Sequence, residues 1–521
     1  MNYADLFRVT LPESVLELAV LLVLVVDLGF LRKAALKVRV AVAALLGVAG
    51  CGAATWAVLL QGGVLQGRGG LSFQDSHELL LTTGGFTAVA QAGILVLTAL
   101  TLLLLIDEDF TRHVGEFVAV VLMAAAGGLL IAGAQDLLVI FVGLELLSLG
   151  LYILTAFAKS SGKSAEAAMK YYLFGGMSAA FLLFGFSYLY GITGSTNLHQ
   201  ILLALNGRNA FHAAPLLYVA IVMIAAGLGF KVAAVPFHLW APDTYEGAPA
   251  PAAAFIASVS KVASFALLIA ITTAAMHVLD GPIFVMFGST EWELHFLPEP
   301  YAGFGGPWSL ILTVLSAASM VLGNLAALAQ TSVRRLLAYS AIAHAGYILL
   351  GLAFFSYGPR SAGAVLYYVL TYGLTTIGAF GVVDVVQRAT GSDRMDAFLG
   401  LHKRNPMLAA VLLVLFLSLA GIPPLVGFWA KFNLFAAVLG VSAGPVPFAL
   451  VALAVAFSAV SLYYYLQVLK RAYVMPAIDE SRIKAHPVTL AVLVGIAAAV
   501  VVLGCFPALL QGWIESFCPV I

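Results

Sequence analysis

Charge is scarce in this chain of 521 residues, because only 10% of them are Asp, Glu, Lys or Arg, while 62% are hydrophobic. Soluble domains carry about 25% charged residues, so the composition indicates a polytopic membrane protein. The 25 basic residues balance the 25 acidic ones and leave a formal net charge of zero. This balance excludes the basic surface that a nucleic-acid partner would require.

Cysteine is also scarce, and no cofactor motif is present. Cys51, Cys505 and Cys518 lie far apart and form no CxxC pair that could hold zinc or an iron–sulfur cluster. No Walker loop or strand-borne GxGxxG motif indicates a place for ATP or a dinucleotide. We therefore expect no metal and no cofactor on this chain. Any energy for its work would come from a partner or from an ion gradient.

Long apolar segments make up most of the sequence. A membrane-spanning helix needs about 20 mostly apolar residues, and we identify fourteen such segments, called spans 1 to 14 below. They begin near residues 11, 38, 86, 115, 137, 168, 213, 249, 308, 335, 362, 408, 446 and 487. The predicted fold class is an all-α polytopic membrane protein with about 14 transmembrane helices.

Lys and Arg are unevenly divided between the two sets of loops. The loops after odd-numbered spans hold 17 of these residues, the opposite loops hold four, and the last four are lysines in the spans. Cytoplasmic loops are enriched in Lys and Arg. We therefore predict that both termini lie outside the cytoplasm.

A weak internal repeat appears when the sequence is shifted by about 195 residues. Residues 152–154, Tyr-Ile-Leu, then match residues 347–349, and the Tyr-Tyr pair at 171–172 matches the pair at 367–368. The shift moves span 5 onto span 10, and an odd shift reverses direction across the membrane. This is the inverted-repeat plan of many transporters, whose sites lie on interrupted helices near the bilayer midplane.

Two spans contain helix-breaking residues close to a lysine. Span 7 runs through Lys231 to Pro236, and span 12 contains Gly421-Ile422-Pro423-Pro424 before Lys431. Proline removes a backbone donor and clashes with the preceding turn. Breaks at membrane depth persist only where protein or trapped water satisfies the freed backbone groups, so we expect broken spans 7 and 12 with water near both lysines.

The ionisable residues inside the spans are the candidate functional residues, because a charge in hydrocarbon is costly and marks ion routes. Lysine, unlike arginine, can release its proton when it is desolvated. Two histidines could pass protons between the lysines, since the histidine pKa lies near neutrality. The candidates for a proton relay are Glu145, paired with Lys231, then Lys261, Lys431, Lys170, His238 and His344.

Several motifs together resemble those of the antiporter-like subunits of respiratory complex I and their Mrp-type cation/proton antiporter relatives. The longest is the run from Lys231 through Pro236-Phe237-His238 to Pro251. The others are Gly143-Leu-Glu145-Leu-Leu-Ser148, Lys170-Tyr171-Tyr172, Ser258-Val-Ser-Lys261, Arg334-Arg335 with His344, and Gly427-Phe428-Trp429-Ala-Lys431. Within that group the lysine at 431 is similar to the N-type subunits of bacterial NADH-quinone oxidoreductase, whereas M-type subunits typically have glutamate there.

This resemblance implies two inverted five-helix repeats, spans 4 to 8 and 9 to 13. It implies a subunit of the bacterial inner membrane, with periplasmic termini, that translocates protons. The M-type subunit and the small membrane subunits of complex I would be its partners in the lipid bilayer. NADH, FMN, iron–sulfur clusters and quinone would belong to other subunits. Glu145 and Lys231 would form the proton input, Lys261 the connection and Lys431 the exit, with Lys170 carried over as well.

The corresponding domain division is 1–110 for the first three spans, 111–280 for repeat one, 300–475 for repeat two and 485–521 for the last span. Two other readings of the function stay open at this point. One is a subunit of an Mrp-type sodium/proton antiporter or of a membrane hydrogenase, which use a similar channel. The other is a mainly structural membrane subunit whose polar residues hold helices together.

Overall fold

The computed structural model describes residues 7–61, 80–205, 214–277, 284–287, 290–293, 305–355, 359–441, 444–477 and 481–517. Its α-helices are α1 Leu11–Leu24, α2 Leu36–Gln61, α3 Gly85–Leu104, α4 Val114–Gly133, α5 Leu137–Thr155, α6 Gly162–Thr193, α7 Leu198–Leu205, α8 Ala214–Lys231, α9 Trp240–Gly247, α10 Ala250–Ala257, α11 Val259–His277, α12 Gly305–Leu328, α13 Val333–Ala353, α14 Pro359–Thr390, α15 Leu401–Arg404, α16 Pro406–Ala420, α17 Val426–Val441, α18 Pro445–Tyr473, α19 Pro487–Cys505 and α20 Ala508–Phe517.

The predicted spans correspond to these helices. In the described residues, 11 helical segments are long and apolar enough to cross a membrane, and α10 with α11 forms one of them. Span 1 is α1 continued by the π-helical turn Val25–Phe30, span 7 is the shorter helix α8, which the short polar helix α9 follows after the break, and span 12 consists of the shorter helices α16 and α17. The predicted fold class is confirmed. One hairpin, β1 Phe284–Phe287 with β2 Thr290–Glu293, was not predicted and follows span 8.

The two halves of the chain repeat one local construction. The helices α6 and α14 are both 32 residues long. They are followed by left-handed glycines, Gly194 at φ 73° and Gly391 at φ 74°. The amide at the start of α5 bonds to the Thr196 carbonyl at 2.8 Å, and the amide at the start of α13 bonds to the Asp393 carbonyl at 2.9 Å. The turn after α6 therefore anchors the start of α5, and the turn after α14 anchors the start of α13.

Span 7 is interrupted between α8 and α9, as predicted, and protein side chains satisfy part of the freed backbone. The peptide bond before Pro236 is cis. Trp240 donates its Nε1–H to the Phe230 carbonyl at 3.0 Å. The amide of Val235 donates to the Ser319 hydroxyl at 2.9 Å. The break is thereby tied to α12, which belongs to the second half.

Span 12 is interrupted between α16 and α17 in the corresponding way. Gly421 ends α16 in the left-handed region at φ 87°, and the Pro423–Pro424 peptide bond is cis. The Gly427 amide donates to the Ser418 hydroxyl at 3.2 Å. A Cβ atom at Gly427 would lie 1.9 Å from the Ser418 carbonyl oxygen, so only glycine allows the two half-helices to approach this closely.

Spans 8, 10 and 11 form the interior of the bundle, with most of their surface buried. Close packing between α12 and α13 depends on glycine, because a Cβ at Gly323 would lie 2.6 Å from the Ala343 amide nitrogen. Small residues allow such approaches between membrane helices. The interior position of these spans places Lys261 and His344 at the centre of the protein. The domain division stays a prediction, and its limits at 280 and 300 lie outside the described residues.

Candidate functional site

Lys231, the last residue of α8, lies at the break in span 7. Its side chain is 7% exposed. Its ammonium donates to the Ser148 hydroxyl of α5 and lies 5.7 Å from the centre of the Phe230 ring. Because α8 ends at the break beside α5, the Ser148 hydroxyl can reach the Lys231 ammonium.

Glu145 lies on α5, one helical turn before Ser148, and is half-buried. The structure does not join its carboxylate to Lys231 by a direct salt bridge within the described residues. Its charge still acts on Lys231 through space. The direct hydrogen-bond partner of the Lys231 ammonium is therefore Ser148, whereas the sequence predicted Glu145.

Lys261 is on α11 in the interior of span 8 and is only 2% exposed. Its ammonium donates to the backbone carbonyl of Ala341 on α13. The Tyr372 ring centre of α14 lies 5.5 Å from the same nitrogen. These contacts connect span 8 with spans 10 and 11 through an amine that has no carboxylate partner among the described residues.

Lys431, on α17, is 5% exposed and sits at the break in span 12. Its Nζ donates to the carbonyls of Leu419 at 3.2 Å and Ala420 at 3.0 Å, and to the Ser458 hydroxyl at 2.8 Å. The two carbonyls end α16, where the last four carbonyls lack partners within the helix. A cation at this end is also favoured by the helix dipole. Lys431 therefore caps the half-helix α16.

His344 of α13 is brought between two of these lysines. It is 4% exposed, and the charges of Lys431 and Lys261 both act on it. Its Nδ1 is 2.9 Å from the Tyr368 hydroxyl. Its Nε2 is buried without a hydrogen-bond partner among the described residues. One ring nitrogen is thus fixed and the other is available for a proton.

A small cavity adjoins His344. It offers about 10 Å³ to the centre of a water molecule, which is about enough for one water. Its lining residues are His344, Tyr368, Thr371, Tyr372, Thr375, Ser418, Leu419, Gly427 and Ala430. Because Leu419 accepts from Lys431 and Tyr372 contacts Lys261, a water there would lie between the two amines.

The structure does not bring Lys170 or His238 into this buried series. The side chain of Lys170 is 42% exposed and forms salt bridges with Glu166 at 2.7 Å and Asp243 at 2.8 Å. His238, in the break of span 7, is half-buried, and its Nδ1 lacks a partner among the described residues. No hydrogen bond in the described part of the chain connects His238 with Lys231, Lys261 or Lys431.

Lys170 instead belongs to an ion-pair cluster that joins α6, α9 and α13. Arg335 donates to Asp243 at 2.7 Å and to Glu246 at 3.0 Å. Burial opposes ionisation of Asp243, but hydrogen bonds from Lys170 and Arg335 outweigh it and lower the pKa of Asp243. Burial also opposes ionisation of Glu246, but hydrogen bonds from Arg335 and Lys163 outweigh it and lower the pKa of Glu246. Both carboxylates are therefore ionised near neutral pH.

Sequence reasoning missed the neutral partners of the buried lysines. Ser148 stood in the motif around Glu145, and Tyr368 stood in the Tyr-Tyr pair that revealed the repeat, so both had a signal. Ser458 and the Ala341 carbonyl carried none, because no spacing in the sequence places α18 beside Lys431 or α13 beside Lys261.

The family model for transmembrane subunits of NADH:quinone oxidoreductase and Mrp antiporters matches residues 134–289 and 294–458. NADH-quinone oxidoreductase subunit N 2 of Acidobacterium capsulatum is 46% identical over 526 aligned positions, covering 99% of each chain. Subunit N 1 of Roseiflexus castenholzii is 41% identical, with 83% of this chain and 79% of the relative covered.

Solved structures agree with this assignment. A chain of respiratory complex I from Thermus thermophilus superimposes with a TM-score of 0.75 and 31% identity, over 97% of this chain and 99% of that one. A chain of the Mrp complex from Dietzia sp. gives a TM-score of 0.74 with 21% identity, over 97% of both chains, and so shares the fold. The chain belongs to the family of antiporter-like membrane subunits of NADH-quinone oxidoreductase, among the relatives named subunit N.

Proposed function

We propose that this chain moves protons across the membrane through a relay formed by Glu145, Lys231, Lys261, His344 and Lys431. NADH oxidation and quinone reduction in other subunits of the same complex would drive the transfer. Those subunits, including an M-type antiporter-like subunit and small membrane subunits, would hold the FMN, the iron–sulfur clusters and the quinone.

One observation carries this proposal. Lys231, Lys261 and Lys431 are all at least 93% buried, and their hydrogen-bond partners are hydroxyls and backbone carbonyls. An ammonium buried without a counter-ion is costly, and lysine can remove that cost by releasing its proton, which arginine cannot do. Hydroxyl and carbonyl partners accept a hydrogen bond from either form of the amine. The three amines are therefore suited to gaining and losing protons in place.

The order of the relay follows from the neighbours of each group. The charge of Glu145 acts on Lys231 and favours its ammonium form, so a change in Glu145 would release or retain that proton. His344 lies under the influence of Lys261 and Lys431, so it would transfer protons between the two halves, with a water in the adjoining cavity. His238 at the break of span 7 would exchange protons with water, and Lys170 would act from the ion-pair cluster. The uneven distribution of Lys and Arg predicts which loops are cytoplasmic, and protons would be taken up on that side and released on the periplasmic side of the bacterial inner membrane.

The test is proton uptake by proteoliposomes that contain the whole complex, measured per NADH oxidised. We expect Lys231→Ala and Lys431→Ala to lose proton uptake. Lys403→Ala removes an exposed lysine outside both the relay and the ion-pair cluster and should leave uptake unchanged. If both buried-lysine variants pump normally, the relay is wrong and the polar groups only hold helices together. If the proteoliposomes instead take up sodium, and that sodium uptake persists with a protonophore, the chain is part of a sodium-translocating system.

A further inference from the structure

A second small cavity lies at the membrane surface that the loop charges predict to be cytoplasmic. It offers about 10 Å³ to the centre of a water molecule, which is about enough for one water. The ends of spans 3, 8, 11 and 14 meet there. The lining residues are Leu104, Glu108, Ala250, Pro251, Gly381, Asp384 and Thr489.

Two acidic side chains share this cavity. Glu108 and Asp384 both line this cavity, which is only large enough for about one water, and two carboxyls can share a hydrogen bond only when one of them carries a proton. Burial, and then the neighbouring Asp384, raise the pKa of Glu108, while the Arg388 guanidinium acts against this shift. The other charged groups that act on Glu108 are Asp107 and the guanidinium of Arg334.

A third polar group faces the cavity without a partner. Thr489, in the first turn of α19, is 1% exposed, and its hydroxyl makes no hydrogen bond within the described residues. Buried hydroxyls normally have a partner. A water held between Thr489 and the two carboxyls would provide one and would also be in position to accept a proton from them.

The helices α10 and α14 are neighbouring and antiparallel, and they pack against each other. Pro251 of α10 and Gly381 of α14 both line the cavity, so it lies at one end of their packing interface. Further in, a Cβ at Gly373 would lie 3.4 Å from the Ser258 Cβ. Lys261 follows three residues later, about 15 Å along the span from Pro251 at 1.5 Å per residue. The same interface therefore connects the carboxyl pair with the most buried lysine of the relay.

We propose that Glu108 and Asp384 form a proton-loading site that takes protons from the aqueous phase and delivers them along the α10–α14 interface towards Lys261. This inference rests on the proposed function. In the loading step, one proton from bulk water forms an O–H bond with a carboxylate oxygen of the pair. In the delivery step that O–H bond breaks, and the proton passes to water in the cavity and then to the amine. No electron moves in either step.

The substitutions for the test preserve the hydrogen bond of the pair. In Glu108→Gln or Asp384→Asn the amide can donate to the remaining carboxylate, as a protonated carboxyl would. Asp384→Asn also removes the charge that pairs with Arg388 at 2.9 Å, a loss that the control at Asp107 reproduces. Asp107→Asn is the matched control, because Asp107 joins the same helix ends through Arg388 at 2.9 Å but does not line the cavity. Lys261→Ala serves as the reference for a blocked relay.

Proton uptake is measured per NADH oxidised in proteoliposomes containing the whole complex. We expect Glu108→Gln and Asp384→Asn to lose as much uptake as Lys261→Ala does, and Asp107→Asn to keep it. Infrared difference spectra across a pH titration should show the C=O band of a protonated carboxyl in the unaltered complex, and this band should be missing in Glu108→Gln.

Uptake that is normal in both carboxyl variants but lost in Lys261→Ala overturns the loading site and leaves the relay intact. An equal loss in Asp107→Asn overturns it too, because the acids would then only tie helices together. Normal uptake in Lys261→Ala removes the relay and this inference with it. If Glu108→Gln fails to assemble, the infrared band in Asp384→Asn decides, since an unchanged band contradicts a shared proton and a lost band supports it.

Discussion

Lys431 allows the role of a charge to be separated from the role of a proton. Its ammonium makes three hydrogen bonds, to Leu419, Ala420 and Ser458. Lys431→Arg keeps the positive charge and the donors but cannot release a proton. Lys431→Met keeps the length of the chain but removes charge, donors and proton together. If Lys431 only caps α16, the arginine variant should work and the methionine variant should fail, whereas a proton carrier predicts that both fail.

The expected changes in stability are small enough for both variants to assemble. Methionine leaves the two carbonyls without a donor, at about 1–3 kcal/mol each, but it also removes a buried ammonium whose desolvation costs several kcal/mol. Arginine must fit where a Cβ at Gly421 would already lie 3.1 Å from the lysine side chain, and such overpacking costs about 1–3 kcal/mol. For methionine the two contributions oppose each other, and for arginine the cost stays below the stability of a folded domain, about 5–15 kcal/mol.

The assay is proton uptake by the reconstituted complex, together with its thermal dissociation midpoint. We expect both variants to assemble and both to lose uptake, on the order of 10²-fold or more, as for other positioned proton-transfer groups. Lys403→Arg makes the same exchange at an exposed side chain outside the relay and the ion-pair cluster and should have no effect. Wild-type uptake by Lys431→Arg would refute the reasoning, because a permanent charge would then suffice.

Two further substitutions test how the halves and the half-helices are joined. Arg335→Gln removes both bonds from α13 to α9 and should lower the stability of the complex by about 1–2 kcal/mol, since the pairs are only partly buried, which thermal dissociation would detect. The ion pair between Arg335 and Asp243 should be fully formed at neutral pH, because the lowered pKa of Asp243 keeps its carboxylate ionised. The pair should weaken as the pH falls below about 4, where this carboxylate becomes protonated. A thermal dissociation midpoint that neither Arg335→Gln nor acid pH lowers would contradict this prediction. Gly427→Ala, whose Cβ would strike the Ser418 backbone, should impair assembly, whereas Gly440→Ala on the same helix meets no atom within 4 Å and should not; equal yields of complex would show that the close approach is not needed.

Most of the fold could be predicted because the lipid bilayer restricts it so strongly. Backbone groups in hydrocarbon must be satisfied within the helix, so length and hydropathy alone placed the fourteen spans close to the observed helices. The breaks in spans 7 and 12 followed from Pro236 and from Pro423-Pro424, whose effect on a helix is local. The hairpin at Phe284–Phe287 and Thr290–Glu293 could not be predicted from such rules, because loops outside the membrane escape that restriction.

The site was less predictable, since sequence identifies costly residues but not their neighbours. Burial in an apolar span was enough to single out Lys261 and Lys431. It was not enough to find that Ser148, rather than Glu145, receives the bond from Lys231. Asp384 is a comparable case, because its place near the end of a span says nothing about which side chain lies beside it. Its meeting with Glu108 depends on two helix ends that lie far apart in the sequence.

Depth in the membrane separates the two kinds of basic residue in this protein. Arg334, Arg335 and Arg388 lie in the first or last turn of their helices and bond to carboxylates, a side-chain amide or loop carbonyls. The lysines at midspan have neutral partners instead. A permanent charge is tolerable where water or a carboxylate can compensate it, whereas at midspan only a cation that can discharge avoids a permanent penalty. Replacing arginine by lysine at the rim would therefore keep function better than replacing lysine by arginine in the interior, because only the interior position depends on losing the charge.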